Sequence, residues 1–484
     1  MSHFTLRRPR HPGRLLFLLF LAFLIYLIAG AVLPFSQYAT VSEATRSSVS
    51  AEDFRQDSPG SDRVMLLETN ESALLERIRL LNQAKERIII STFDMRSGES
   101  TEDILAMLLH KAEEGVSVQM IVDGFSGLIR MEGCPLFYAL AAHPNAEIRI
   151  YNPINPLLPW KTQGRMHDKY VIVDDLAYIL GGRNMFDYFI GDYPTDDQSH
   201  DREVLVYNTQ NGTDHTGESS LFQVESYFQS VWELPDCKPF HDNESLLERE
   251  RVQKQTEHLH DRYGYLLETY PEQFEPFDYE EATLTAGKIT LISNPIGIYE
   301  KEPVVFYTLA RLMEAAEEEV IIHTPYAVFN DYMYDTMKGI TSKVPVTMMV
   351  NAVENGDNFV ASSDYTYNKP KILETDVSLY EYSGGLSYHG KSLVIDNELA
   401  IIGSYNFDLR STYMDTELML CIQSEELAGE LKAYMLDYQE DCRIVKSMEE
   451  QIVPEHVAIE EVPFVKNALW HIVGFLLKPF RYLI

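Results

Sequence analysis

One compound motif occurs twice in this chain with identical internal spacing. His167-Asp168-Lys169 is followed, after four residues, by Asp174 and, after six more, by Gly181-Gly182-Arg183-Asn184. His389-Gly390-Lys391 is followed in the same steps by Asp396 and by Gly403-Ser404-Tyr405-Asn406. A lone His-x-Lys means little, but H-x-K-x4-D-x6-G-[GS]-x-N written twice is highly specific. The copies lie inside a longer repeated frame, in which LLNQAKERIII and RLMEAAEEEVII are visibly alike. Such a long-period duplication predicts two copies of one unit, not a short solenoid repeat.

Hydrophobic periodicity places the motifs on elements. Apolar residues from Leu74 to Leu81 recur at helical spacing, and Arg87 to Phe93 reads as a buried strand. A helix is expected from Thr101 to Glu114, capped locally at Ser100/Thr101, then a strand from Val116 to Val122. The order returns later, with helices at Val304–Ala316 and Asp331–Ile340 and strands at Val320–Thr324 and Val344–Asn351. Alternating helices and buried strands predict an α/β body with a largely parallel or mixed sheet. Apolar residues make up 45% of the chain, enough for a large core. If each His and Lys lies on a strand, the two side chains share a face. Tyr170–Val173 and Ala177–Leu180, and likewise Ser392–Ile395 and Leu399–Ile402, then form strand pairs. The glycines that follow turn the backbone, so that Asn184 and Asn406 aim back at one site.

This set of side chains suits phosphodiester chemistry. Two imidazoles can divide the work into nucleophile and general acid. Lys169 and Lys391, with the amides of Asn184 and Asn406, can hold phosphoryl oxygens as charge shifts. The motif offers Lys where a metal site would need carboxylates, so no metal or other cofactor is expected. Arg183 reads equally as a phosphate ligand and as a structural residue. Cys134, Cys237, Cys421 and Cys442 form no C-x-x-C pair, so no zinc knuckle or redox dithiol is indicated.

The ends differ from the middle. Leu15 to Leu33 is free of charge and near the length of a bilayer span. Arg7, Arg8, Arg10 and Arg14 precede it, which puts the N-terminus in the cytoplasm and the body on the extracytoplasmic side. A cleaved signal peptide competes, although its apolar core would be long. Residues 36–63 read as a polar tether, and 212–287, without a repeat partner, as the connection between halves. From Phe464 to Ile484 there is no acid, and Lys466, Lys478 and Arg481 sit among Trp470, Phe475, Phe480 and Tyr482. That composition suits a helix in the headgroup layer, or equally a last helix packed on the surface. The formal charge of −34 argues against a grip on long nucleic acid.

These motifs resemble those of the phospholipase D superfamily, and within it of bacterial cardiolipin synthases. Tyr151-Asn152-Pro153, the GGRN of Gly181 to Asn184, GSYNFDLRS (Gly403 to Ser411), YFQSVW (Tyr227 to Trp232) and the apolar-basic tail are similar to that subgroup. The resemblance implies two α/β/α halves related by a pseudo-twofold axis, with one site at their interface. Its boundaries would be a basic N-terminus at 1–14, a transmembrane helix at 15–35, halves at 64–211 and 288–450, and a membrane-interfacial segment at 451–484. It implies that His167 attacks phosphorus and that His389 protonates the leaving alcohol and later deprotonates the incoming one. Asp174 and Asp396 would be set back and structural. A later acid would bond the far nitrogen of an imidazole: Glu417 in the second half, and Asp201 or Glu203 in the first, where alternation with Val204 favours Glu203. The implied activity is transfer of a phosphatidyl group to phosphatidylglycerol, with phosphatidylethanolamine a possible donor. The alternatives are hydrolysis to phosphatidic acid and, further off, a membrane-tethered nuclease.

Overall fold

The computed structural model describes residues 12–356, 358–459 and 462–484. Arg7, Arg8 and Arg10 thus lie outside the described residues. Two nine-stranded sheets dominate. The first runs, in spatial order, Leu284–Thr285, Asp62–Leu67, Glu203–Asn208, Ala177–Gly181, Tyr170–Val173, Arg87–Thr92, Ser117–Asp123, Ala146–Tyr151 and Cys237–Pro239. The second runs Ile289–Ser293, Leu418–Gln423, Leu399–Gly403, Ser392–Ile395, Val320–His323, Val346–Asn351, Ser378–Tyr382, Cys442–Val445 and Gln451–Ile452. Without the first strand of one and the last of the other, the two orders coincide strand for strand. The pairings coincide too. Arg87–Thr92 and its repeat Val320–His323 each pair parallel with the next strand in sequence and antiparallel with the motif strand. The sheets are therefore mixed.

Strand periodicity sorts the core into layers. Ile88 and Ile90 join an outer cluster with Leu74, Ile78, Ile104 and Leu108 of the helices Asn70–Asn82 and Glu99–Glu113. Ile89 points the other way, into a shared cluster with Ile172, Leu180, Val394, Ile402 and Leu420. The halves meet across this inner cluster, which also takes Phe228 from the helix Leu221–Trp232 and Leu431 from Glu425–Glu440. Each sheet thus has its own helices on the outer face and, on the inner face, the facing sheet with Leu221–Trp232 and Glu425–Glu440 packed beside it, so each half is an α/β/α unit. Each buried aliphatic side chain here contributes roughly 1.5–3 kcal/mol, so the seam is a core in its own right.

Several local expectations change. The helix expected from Thr101 begins at Glu99, because its cap is distant in sequence. The Asp187 carboxylate accepts the Glu99 and Ser100 N–H groups at 3.1 and 2.8 Å, and the Ser100 hydroxyl at 2.6 Å. His167, Lys169, His389 and Lys391 lie just ahead of the strands Tyr170–Val173 and Ser392–Ile395, not within them. Residues 36–63 are no free tether. Phe35 and Phe54 are buried in the second half's outer core, and Arg55 Nε meets Glu398 Oε2 at 2.8 Å. Within 212–287, the helix Glu250–Thr269 packs Val252, Leu259 and Leu266 into the first half's outer core. It covers that face and not the motif residues.

The apolar helix Pro12–Val32 runs into a turn at Leu33–Phe35. Gly13–Phe35 has a mean hydropathy of 2.9 and is long and apolar enough to cross a membrane. Its later turns touch the body, where the Tyr26 hydroxyl donates to the Leu157 carbonyl at 2.7 Å. The C-terminal helix Phe464–Leu477 has two unlike sides. One side packs on Phe359–Leu373 so closely that a Cβ on Gly474 would stand 2.4 Å from the Ser363 carbonyl oxygen. The other side leaves Val465 76% and Leu476 60% exposed.

Candidate active site

Both motif histidines line one cavity of about 670 Å³ between the halves, together with Asn184 and Asn406. Two short pairings across the seam bring them there. Met166 bridges to Thr416, and the His167 N–H donates to the Thr416 carbonyl at 3.2 Å. Ser387–Tyr388 pairs parallel with Ser199–His200, and the His389 N–H donates to the His200 carbonyl at 2.6 Å.

Each pairing sets an imidazole beside a carboxylate of the other half. His167 Nδ1 lies 2.9 Å from Glu417 Oε1, and His389 Nδ1 lies 2.6 Å from Asp201 Oδ2. Glu203 does not take the expected role. It is fully buried and accepts two bonds from the Arg77 guanidinium at 2.6 Å each. Asp201 and Glu203 have the same strand parity, so alternation alone could not separate them. Ladder register does. Gly181 pairs with Glu203 and Gly403 with Met419, so Glu417 and Asp201 each stand two residues before their ladder partner.

The same register explains the variable motif position. A Cβ on Gly182 would stand 2.2 Å from Asp201 Oδ1, so glycine is needed there to admit that carboxylate. Its counterpart Ser404 instead donates its hydroxyl to Glu417 Oε2 at 2.5 Å, while Ser411 holds Glu417 Oε1 at 2.6 Å. Ser411 was legible only as part of the quoted GSYNFDLRS run.

Lys169 Nζ donates to the His167 carbonyl at 2.5 Å, and Lys391 Nζ to the carbonyl of His389. Lys391 also meets Asp201 Oδ2 at 3.3 Å. Both lysines are buried, and they steady the histidine backbone as well as placing charge beneath the cavity. Asp174 and Asp396 lie outside it. Each sits in a left-handed turn, with φ of 48° and 54°, and caps the start of a strand. Asp174 accepts the N–H groups of Lys85, Glu86 and Arg87, and Asp396 those of Glu317, Glu318 and Glu319. Arg183 is structural, donating to the carbonyls of Leu67, Glu68 and Phe189 while fully buried.

Electrostatics separates the two histidines. Burial, helped by the Lys169 and Lys391 ammoniums, holds His167 well below the ordinary imidazole value. Burial also pushes Glu417 up to about 8, against the pull of Lys169. Lys169 is drawn down to about 7 by burial, against Glu417. For Asp201, burial works upward, but Lys391 and His389 outweigh it and keep the carboxyl far below the usual range. His167 is thus a neutral imidazole, while His389 faces a firmly ionised carboxylate.

Sequence reasoning missed the walls. Phe93 flanks His167 at 5.2 Å and Phe189 flanks His389 at 5.1 Å between ring centres. Arg96, Arg165 and Arg410 also line the cavity, each against a carboxylate, Asp94, Asp123 and Asp415 respectively. Their charges are thus balanced. Asn152, of the quoted YNP, donates to the Gly164 carbonyl at 2.9 Å and shapes the loop leading to Arg165.

The chain is similar to several known proteins. Cardiolipin synthase C of Escherichia coli is 23% identical over 426 residues, covering 79% of this chain and 86% of that one. Cardiolipin synthase 1 of Bacillus cereus is 23% identical over 394 residues, covering 80% and 68%. The solved phosphatidylserine synthase of Haemophilus influenzae superposes with a TM-score of 0.64 at 14% identity, covering 91% of this chain and 100% of that one, a likeness of fold. The family model described as cardiolipin synthase, phospholipase D-like domain matches residues 77–232 and 309–438. One match falls in each half and each contributes one histidine to the shared cavity, so the chain belongs to the cardiolipin synthase group of the phospholipase D superfamily.

Proposed function

We propose that this protein is a membrane-bound phosphatidyltransferase of the cardiolipin synthase type. The observation that carries the reading is the shared cavity, with two imidazoles each oriented by a carboxylate of the opposite half. In the first step Nε2 of His167 attacks the phosphorus of a phospholipid. The bond from phosphorus to the headgroup oxygen breaks, and the His389 imidazolium gives that oxygen its proton. A phosphatidyl group is then held on His167. In the second step neutral His389 takes the proton of a phosphatidylglycerol hydroxyl, whose oxygen attacks phosphorus as the P–N bond breaks. Asp201 favours the imidazolium of His389 that begins and ends each turnover, and Asn184, Asn406 and the lysines balance charge on the phosphoryl oxygens.

The lipid context comes from the apolar helix Pro12–Val32 and the exposed apolar side of Phe464–Leu477, both suited to a bilayer. The basic N-terminal sequence supports a catalytic body on the extracytoplasmic side. The relatives named cardiolipin synthase support phosphatidylglycerol as acceptor. Protein in mixed phosphatidylglycerol and phosphatidylethanolamine vesicles is expected to form cardiolipin, read by mass spectrometry of the lipids. Phosphatidic acid without cardiolipin would establish a hydrolase instead.

The lowered His167 makes a pH prediction. Protonation abolishes nucleophilicity, and a depressed value moves that protonation to lower pH. With a phosphodiester whose leaving group needs no proton, the first step is expected to persist as pH falls through about 6.5, the ordinary imidazole value. Stopped-flow release of nitrophenol would show it, and an acid limb at or above that pH would contradict a neutral His167.

A further inference from the structure

A second cavity, of about 370 Å³, opens where the segment after the apolar helix meets the C-terminal turn. Tyr38 and Arg46 line it from the first, Lys478 and Arg481 from the second, and Tyr413 and Asp331 are among its other walls. Three cations thus face one lining carboxylate, in a chain whose formal charge is −34. Arg481 is committed to structure, since its guanidinium meets Asp364 at 2.6 Å. Arg46 and Lys478 are not. Arg46 Nε donates to the Val41 carbonyl at 3.3 Å, and Lys478 Nζ lies 4.5 Å from the ring centre of Tyr367. Among the described residues neither lies within ion-pair distance of a carboxylate. Two exposed cations on a shaped cavity wall are suited to a phosphate oxygen pair.

The position supplies the second argument. Tyr38 follows the end of the apolar helix at Val32 by six residues, and Lys478 directly follows the amphipathic helix Phe464–Leu477. If both helices meet a bilayer, as the functional reading has it, the cavity lies at headgroup depth. The Tyr38 and Tyr413 rings, 4.8 Å apart, provide the amphipathic wall favoured at that depth. No imidazole or thiol lines the cavity among its lining residues. The catalytic cavity is distinct but adjacent. Arg410 and Ser411 of the short helix Leu409–Tyr413 line it, while Tyr413 lines the second.

We propose that this second cavity seats the phosphate headgroup of an anionic phospholipid that is bound and not turned over. It rests on the membrane reading above but not on the reaction assigned to the histidines. The test uses the full chain in detergent micelles and counts bound dioctanoyl phosphatidylglycerol by native mass spectrometry. Arg46→Gln with Lys478→Gln is the variant, since both side chains are exposed and outside the core. Arg46→Glu with an unchanged melting profile is the second variant.

The wild type is expected to hold one more equivalent of the lipid than either variant, with affinity at that seat falling roughly tenfold or more. The readout is the difference between proteins, so lipid in the catalytic cavity cancels and an inactive enzyme would still give it. Equal stoichiometry in wild type and variants overturns the proposal. So does dioctanoyl phosphatidylcholine filling the seat equally well, because the charge preference is then absent. Equal filling by glycerol phosphate would assign the seat to a soluble anion and overturn the lipid.

Discussion

His167→Ala is expected to lower phosphatidyl transfer by at least about 10⁴-fold, because it removes the atom that forms the covalent bond. His389→Ala is expected to cost about 10²–10⁴-fold with ordinary headgroup alcohols, the usual worth of a general acid and base. A nitrophenyl phosphodiester separates the two roles. Its leaving group departs unprotonated, so His389→Ala should still accumulate phosphatidyl-His167, whereas His167→Ala should form none. Quenching in alkali, where a P–N bond survives, followed by peptide mass spectrometry would locate the adduct. An adduct on His389 in the His167→Ala protein would exchange the roles. The proposed assignment is supported by the neutral His167, held so by burial and nearby ammoniums, and by the ionised Asp201 that His389 faces.

Asp201 and Glu203, two residues apart, should fail in different ways. Asp201→Asn removes the charge that favours the His389 imidazolium, and turnover per folded molecule is expected to fall by up to about 10⁴-fold, as when a triad carboxylate is neutralised. Glu203→Gln leaves the buried Arg77 without its counter-charge, which costs about 3–5 kcal/mol of stability. The folded fraction of that protein should still turn over at near the normal rate. Thermal melts paired with turnover normalised to burst amplitude would decide. A stable but inactive Glu203→Gln, beside an active Asp201→Asn, would restore the choice made from alternation.

This pair also marks where sequence periodicity loses resolution. A strand's alternation of two assigns residues to a face, and Asp201 and Glu203 share that face. Which of them reaches an imidazole depends on where the ladder ends and on the seam pairing of Ser199–His200 with Ser387–Tyr388, a contact between residues 188 apart. The cap on Glu99–Glu113 has the same character, because Asp187 lies far along the chain from the N–H groups it accepts. Residues 36–63 look polar overall, yet Phe35 and Phe54 pin them to a core that composition could not reveal. The tail could be weighed either as interfacial or as packed. Gly474 and Arg481 hold one side to the body, and the opposite side stays exposed.

By itself the sequence determined the duplication, the α/β class, the N-terminal apolar helix and the eight repeated motif residues. These follow from spacing and composition, which short-range geometry translates directly into strands, turns and faces. Only the tertiary structure decided which carboxylate serves which histidine. The answer is crossed: Glu417 serves His167 and Asp201 serves His389. Such a crossing arises because the two sheets pack face to face about a pseudo-twofold axis, which brings the end of each half's strand beside the other half's imidazole. No pattern within either half could encode that contact.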